Sequence, residues 1–232
     1  DNIKLFELHY RPANPSQFPP LIFIPGWVSI IDSWENVLKE MTKDFEIYYL
    51  ETREKGSAKH PIEQELNIAA LGDDLSSVLD YHNLVDEPYI LFGSSLGGTV
   101  ILDAMSQLKV SPIMAVLIGP NAEFQAPRYW LWIIRMVPPI LLDFIKPLAK
   151  WYMKKKYINM EADPKQYEKY ARALDQGNPG RMKRSALSFS KYKIWEKLDN
   201  IHQKVLIFTG SKDVMHRYDN TVKMAELLPN CK

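Results

Sequence analysis

The sequence predicts an α/β fold, with a mostly parallel, doubly wound sheet and a helical insertion. Three observations carry that prediction. Short apolar runs recur at Leu21–Ile24, Phe45–Leu50, Tyr89–Phe92, Ile113–Ile118 and Val205–Phe208, with helical patterns between most of them. Continuous runs of this kind, closed by turn residues, suit strands buried on both faces. The pentapeptide Gly93-Ser94-Ser95-Leu96-Gly97 joins one such run to a helical pattern almost without a linker. The segment 121–200 then breaks the alternation: it is too long for a crossover, shows helical patterns, and has no evident strand. Alternating strands and helices give a parallel sheet covered on both faces.

The elements follow in order. Ile3–Tyr10 alternates loosely and reads as an edge strand. Pro12–Pro20 is a turn-rich connection into Leu21–Ile24, which Pro25-Gly26 ends. Ser33–Met41 reads as a helix with Asp32 or Ser33 as its N-cap, and Phe45–Leu50 as the next strand. Glu65–His82 places Leu66, Ala69, Ala70, Leu75, Val78 and Leu79 near helical spacing, with Asp73 as the polar exception. The strand before Gly93 and the helix from Thr99 follow, then Ile113–Ile118, closed by Gly119-Pro120. Val205–Gly210 is a last strand, and Tyr218–Leu228 a helix stopped by Pro229.

Composition narrows the chemistry. The chain has 232 residues, 46% hydrophobic and 25% charged, within the range of globular domains. A formal net charge of +1 gives no footprint for nucleic acid. The single cysteine, Cys231, excludes an internal disulfide and any cysteine metal cluster, and leaves the redox compartment open. There is no phosphate-binding loop, no G-x-G-x-x-G, and no paired-histidine metal helix. The reading therefore calls for no cofactor and no metal.

The pentapeptide carries the chemistry. G-x-S-x-G between a buried strand and a helix forms a turn so sharp that the serine takes a strained conformation and lifts its hydroxyl above the sheet. Only Ser95 has glycine at both flanking positions two residues away, so Ser95 is the candidate nucleophile and Ser94 a packing residue. Gly93 and Gly97 are expected where a Cβ would collide with neighbouring backbone.

These residues resemble the α/β-hydrolase family over nearly the whole chain. Ile24-Pro25-Gly26-Trp27, followed by Trp34, is similar to the family's oxyanion loop, with Pro25 where a histidine is usual. Thr52-Arg53-Glu54-Lys55-Gly56-Ser57 resembles the family segment after the next strand, with its glycine pattern degraded. Leu198–Ile201 and Lys204–Asp213 resemble the acid-bearing strand and turn. The resemblance implies residues 1–120 and 201–232 as two parts of one core, with 121–200 as a helical cap over the carboxyl ends of the strands. It implies Asp213 as the carboxylate that would orient a histidine, with Asn121 and Glu123 at an alternative acid position. The backbone N–H groups of Trp27 and Leu96 are its implied oxyanion hole.

In this family the histidine follows the acid in chain order. His216 alone does so here, and three residues from Asp213 leaves little room for a separately supported ring. His9, His60, His82 and His202 are out of order. The chain begins at what resembles the second strand and stops where the final strand and histidine of the family follow. A base beyond Lys232 is therefore the expectation, with His216 the fallback.

The insertion adds a substrate cue. Tyr129–Ile145 is apolar and aromatic, but Arg135 and Asp143 interrupt it and Pro138-Pro139 break it, which argues against a membrane span. Lys150, Trp151, Tyr152 and Lys154-Lys155-Lys156 follow. Two readings stand: a pair of cap helices with a solvated basic face, or an apolar surface that lines an acyl pocket or touches lipid. Arg181, Lys183 and Arg184 read as an exposed loop. The resemblance implies a serine esterase acting on a small-molecule ester with an apolar acyl group. The alternative is a non-catalytic member of the fold that binds a small molecule or a protein partner.

Overall fold

The computed structural model describes residues 3–61, 64–124, 128–156, 158, 160, 161, 164–211, 213 and 215–232. Lys212 and the side chains of Arg128, Trp130 and Lys156 lie outside the described residues. Six strands form one sheet: β1 (Phe6–Tyr10), β2 (Leu21–Ile24), β3 (Ile47–Glu51), β4 (Ile90–Ser94), β5 (Met114–Ile118) and β6 (Lys204–Phe208). Their spatial order is β1-β3-β2-β4-β5-β6. β1 runs antiparallel on the edge and every other pairing is parallel. This is the predicted mostly parallel α/β sheet.

The strand sequences divide between two cores because successive side chains point to opposite faces. Ile22 and Ile24 join Leu71, Leu75, Val100 and Leu102 on one face. Leu21 and Phe23 join Leu38, Tyr49 and Phe92 on the other. Phe23 lies stacked on Phe92 with ring centroids 4.7 Å apart. Each such side chain contributes about 1.5–3 kcal/mol by leaving water.

Helices α1 (Glu35–Met41), α2 (Ile68–Tyr81), α3 (Leu96–Met105) and α8 (Tyr218–Leu227) complete the layers around the sheet. The predicted helix over 33–41 begins later: Ile31–Ser33 forms a 3-10 turn, and Trp34, without a side-chain cap bond, precedes Glu35. α2 starts at Ile68 because the Asn67 side chain accepts a hydrogen bond from the Ala70 amide at 2.8 Å. α2 and α3 cross closely. A Cβ at Gly72 would stand 3.3 Å from the Ala104 Cβ.

Between β5 and β6 lie α4 (Arg128–Met136), α5 (Pro139–Lys156), α6 (Pro164–Gln176) and α7 (Pro179–Phe189). α4 ends just before Pro138-Pro139, where a proline cannot continue the ladder, and Pro139 opens α5. Arg181, Lys183 and Arg184 lie in α7, not in a loop. Their side chains reach backbone carbonyls: Arg181 donates to Lys55 and Ala58, Lys183 to Arg135 and Val137, and Arg184 to Gln64. The Asn178 side chain caps this helix by accepting from the Arg181 amide, an organisation that the Gly177–Gly180 turn signals conceal.

The sheet order reverses between β2 and β4, since β2 is followed by β3 on one side and flanked by β4 on the other. Ligands of open α/β sheets bind outside the carboxyl ends of the strands at such a point. The loop after β2 and the turn after β4 meet there.

Candidate active site

The turn after β4 is strained at its apex. Ser95 has φ 51° and ψ −112°, a region that a residue with a Cβ rarely occupies. Its surroundings hold it there. The Ser95 amide donates to the Ile118 carbonyl at 2.7 Å, and its carbonyl accepts from the Thr99 amide at 3.0 Å. The flanking glycines leave no room for side chains. A Cβ at Gly93 would lie 2.6 Å from the Gly98 nitrogen, and one at Gly97 only 2.0 Å from the Ile24 carbonyl oxygen. α3 therefore begins against the end of β2, and Ser95 is carried above the sheet edge with its side chain half-buried at a cavity.

Asp213 and His216 reach the same point from the loop after β6. His216 Nε2 stands 2.9 Å from Ser95 Oγ, and His216 Nδ1 stands 2.7 Å from Asp213 Oδ2. A proton on Nδ1 satisfies the carboxylate and leaves Nε2 to accept from the Ser95 hydroxyl. Three residues from Asp213, the His216 ring is nevertheless supported, by a tight turn and by a distant strand end. Asp213 Oδ1 accepts from the backbone amides of Met215 and His216, at 2.8 and 3.0 Å, which curls the chain into a turn and returns the ring to the other carboxylate oxygen. The ring also lies against Gly119, where φ is +56° and an added Cβ would fall 2.9 Å from Nδ1. The support comes from the end of β5, which is distant in sequence.

Burial alone would raise the pKa of Asp213. The hydrogen bonds from the His216 side chain and amide, with the Met215 amide, hold it below its ordinary value. Asn121 and Glu123 line the same cavity, and Glu123 pairs with Lys193 at 3.4 Å. Of these acid candidates it is Asp213 that accepts from the imidazole. Elsewhere, His9 meets Glu46, His82 meets Glu7, and His60 meets the Arg53 carbonyl.

The oxyanion-loop candidate lies beside Ser95. A Cβ at Gly26 would stand 3.3 Å from Ser95 Cβ. Gly26 and Ser29 close a tight turn through a 3.1 Å backbone bond, with Val28 at φ 61°. The Trp27 indole donates to Ser185 of α7 at 3.0 Å, so this loop also anchors the insertion. Trp27, Ser95, Leu96, Phe124, Phe189 and His216 are among the residues lining a cavity of about 450 Å³. A smaller apolar cleft of about 180 Å³ lies within the insertion, lined by Ile134, Leu142, Ile145, Ala149 and Leu174. The two share Trp27 and Ala186.

The degraded segment after β3 proves to be a clamp, which sequence inspection alone did not reveal. Arg53 donates its amide, Nε and Nη2 to Asp74 of α2 at 2.8, 2.9 and 2.7 Å. The buried Lys55 ammonium donates to the Gly26 carbonyl and pairs with Glu54 at 3.1 Å. Lys55 thus holds the loop that carries Pro25 where the family has histidine. The only sequence signal was the charge-rich run itself.

A hydroxyl aligned with an imidazole that a carboxylate orients can lose its proton as it attacks an electrophilic carbon. A switch-point sheet with such a constellation defines a hydrolase-type α/β protein. A profile of the alpha/beta hydrolase fold matches residues 19–232, and the chain belongs to that family. No curated protein matches the chain by sequence. Among solved structures, it is similar to an enol-lactonase from Burkholderia xenovorans LB400, with a TM-score of 0.83 and 13% identity, covering 100% of this chain and 87% of that one. It is similar also to a hydrolase from Pseudomonas aeruginosa PA01, at 0.80 and 16%, covering 99% and 88%. A thermophilic esterase from Thermogutta terrifontis matches at 0.78 and 17%, covering 99% and 83%. At these identities the likeness establishes the shared fold.

Proposed function

We propose that this protein is a serine hydrolase that cleaves small-molecule carboxylic esters with an apolar acyl group. The observation that carries the reading is the continuous hydrogen-bonded chain from Ser95 Oγ through His216 to Asp213. Ser95 attacks the ester carbonyl as His216 Nε2 takes its proton. The tetrahedral oxyanion is met by the amides of Trp27 and Leu96, the latter opening α3. Fixed donors of this kind are worth on the order of 3 kcal/mol each. Collapse expels the alcohol, which receives the proton from His216, and leaves an acyl-enzyme. Water, activated by the same imidazole, then releases the acid. The apolar cleft that meets the Ser95 cavity at Trp27 and Ala186 supports an apolar acyl group.

A fluorophosphonate probe is expected to label the protein on Ser95, and Ser95→Ala to abolish labelling. Turnover of p-nitrophenyl esters should rise with acyl length from acetate until the cleft is filled. Absence of labelling on folded protein would favour the non-catalytic binding reading instead.

Lys55 gives a second expected outcome. Its bond to the Gly26 carbonyl fixes the Gly26–Trp27 peptide, whose N–H points the opposite way from the carbonyl in a trans bond. Replacing Lys55 by Met together with Glu54 by Gln removes the buried pair without leaving a lone charge. We expect kcat to fall by roughly tenfold to a hundredfold with KM little changed, as a misaimed oxyanion donor requires. A change in KM alone would assign Lys55 to substrate binding.

A further inference from the structure

The insertion has a second side that the reaction leaves unused. Among the described residues, eleven of the exposed large apolar side chains lie on α4 and α5, including Trp132, Ile140, Phe144 and Trp151. Phe144 is 78% exposed and Ile140 71%. On α5, residues 140, 144, 148 and 151 recur at helical spacing, so they form one stripe. A stripe of large apolar side chains this exposed is unusual on a protein surface with nothing to cover it. Among the described residues no helix is long and apolar enough to cross a membrane.

Charge identifies the occupant. Residues 128–156 contain seven basic residues and one acidic, in a chain whose net charge is +1. The one acid, Asp143, is paired with Lys146 at 2.7 Å. Lys154 and Lys155 follow Trp151 and Tyr152 at the end of the stripe, and the Lys155 ammonium stands 5.3 Å from the Trp151 ring centre. A second copy docking on this face would bring like charges together. An anionic bilayer would receive the apolar side chains in its acyl boundary and the lysines among its headgroups. The same helices turn Ile134, Leu142 and Ile145 toward the cleft that meets the Ser95 cavity.

We propose that the α4–α5 face docks flat on anionic lipid surfaces, so that the apolar substrate leaves the bilayer beside the cleft leading to Ser95. The nature of that guest rests on the ester-hydrolase reading; the docking does not.

The test is co-sedimentation of the full chain, wild type and Ser95→Ala, with vesicles of phosphatidylcholine alone or carrying roughly one third phosphatidylserine. Both proteins are expected to sediment preferentially with the anionic vesicles. The Phe144→Ser/Trp151→Ser variant should lose at least tenfold in binding while keeping its melting temperature and its turnover of a soluble acetate ester. Lys154→Glu/Lys155→Glu should remove the preference for phosphatidylserine. Wild type remaining in solution with both vesicles, or the apolar variant sedimenting like wild type, overturns the proposal. So does a dimer in sedimentation velocity that the apolar variant dissolves while vesicles capture neither form, because a second copy would then be the occupant. Vesicle binding by a protein that no fluorophosphonate labels would leave the docking standing and sink the hydrolase reading alone.

Discussion

His216→Ala is expected to lower kcat/KM for p-nitrophenyl butyrate by about four orders of magnitude, because the serine hydroxyl then has no acceptor for its proton. The protein should remain folded, since the ring packs at the edge of a cavity and against the bare Cα of Gly119. The measurement is turnover beside a thermal melt. Retention of wild-type turnover would mean that another base serves Ser95. Acid exposes the same unit in a different way. The pKa of Asp213 is lowered in the folded state, so its hydrogen-bonded turn contributes stability above the ordinary aspartate range. That contribution is lost as the pH falls through the lowered folded value. The loop carrying His216 should therefore stay ordered through the ordinary aspartate range and loosen only in more acid solution.

Arg53→Met should destabilise the fold by about 3–5 kcal/mol, the cost of leaving a buried carboxylate without its partner. Asp74 is 2% exposed and accepts three hydrogen bonds from Arg53, one of them from the Arg53 amide, which the variant keeps. Urea unfolding measures the loss. The pH dependence gives a signature that a simple packing defect lacks. Burial holds the pKa of Asp74 above its ordinary value even though the Arg53 bonds pull it down, and loss of the guanidinium raises it further. Without the guanidinium the folded protein holds that proton more tightly than the unfolded chain does. Lowering the pH through the raised value then favours the folded state, so part of the lost stability should return on acidification. A loss of stability that stays constant with pH would mean that Asp74 finds another cation.

The residues that could be read in advance share one property, that their roles are dictated locally. Strand runs such as Leu21–Ile24 and Val205–Phe208 are apolar because both sheet faces are covered, and that pattern shows in any window of the chain. The turn at Ser95 needs glycines at fixed offsets, so it too is visible in five letters. Pro138-Pro139 separates α4 from α5 by the same local logic.

What stayed hidden depended on partners far away in sequence. His216 is unremarkable in a turn until Gly119, at the end of another strand, gives its ring a place to lie. Lys55 belongs to a segment that reads as degraded, and its use emerges when the ammonium meets the Gly26 carbonyl beyond the end of the neighbouring strand. Arg181 and Arg184 look solvated in a stretch rich in turn residues, but the carbonyls of Lys55, Ala58 and Gln64 come to them in the fold.

By itself, then, the sequence determined the family, the α/β architecture and the hydroxyl at the head of α3, because periodicity and steric turn rules operate over a few neighbouring residues. The tertiary structure alone decided which imidazole faces that hydroxyl, what steadies the loop beside it, and which side of the insertion is left bare. Those outcomes depend on hydrogen bonds and contacts between segments up to 158 residues apart, whose geometry exists only once the sheet has assembled.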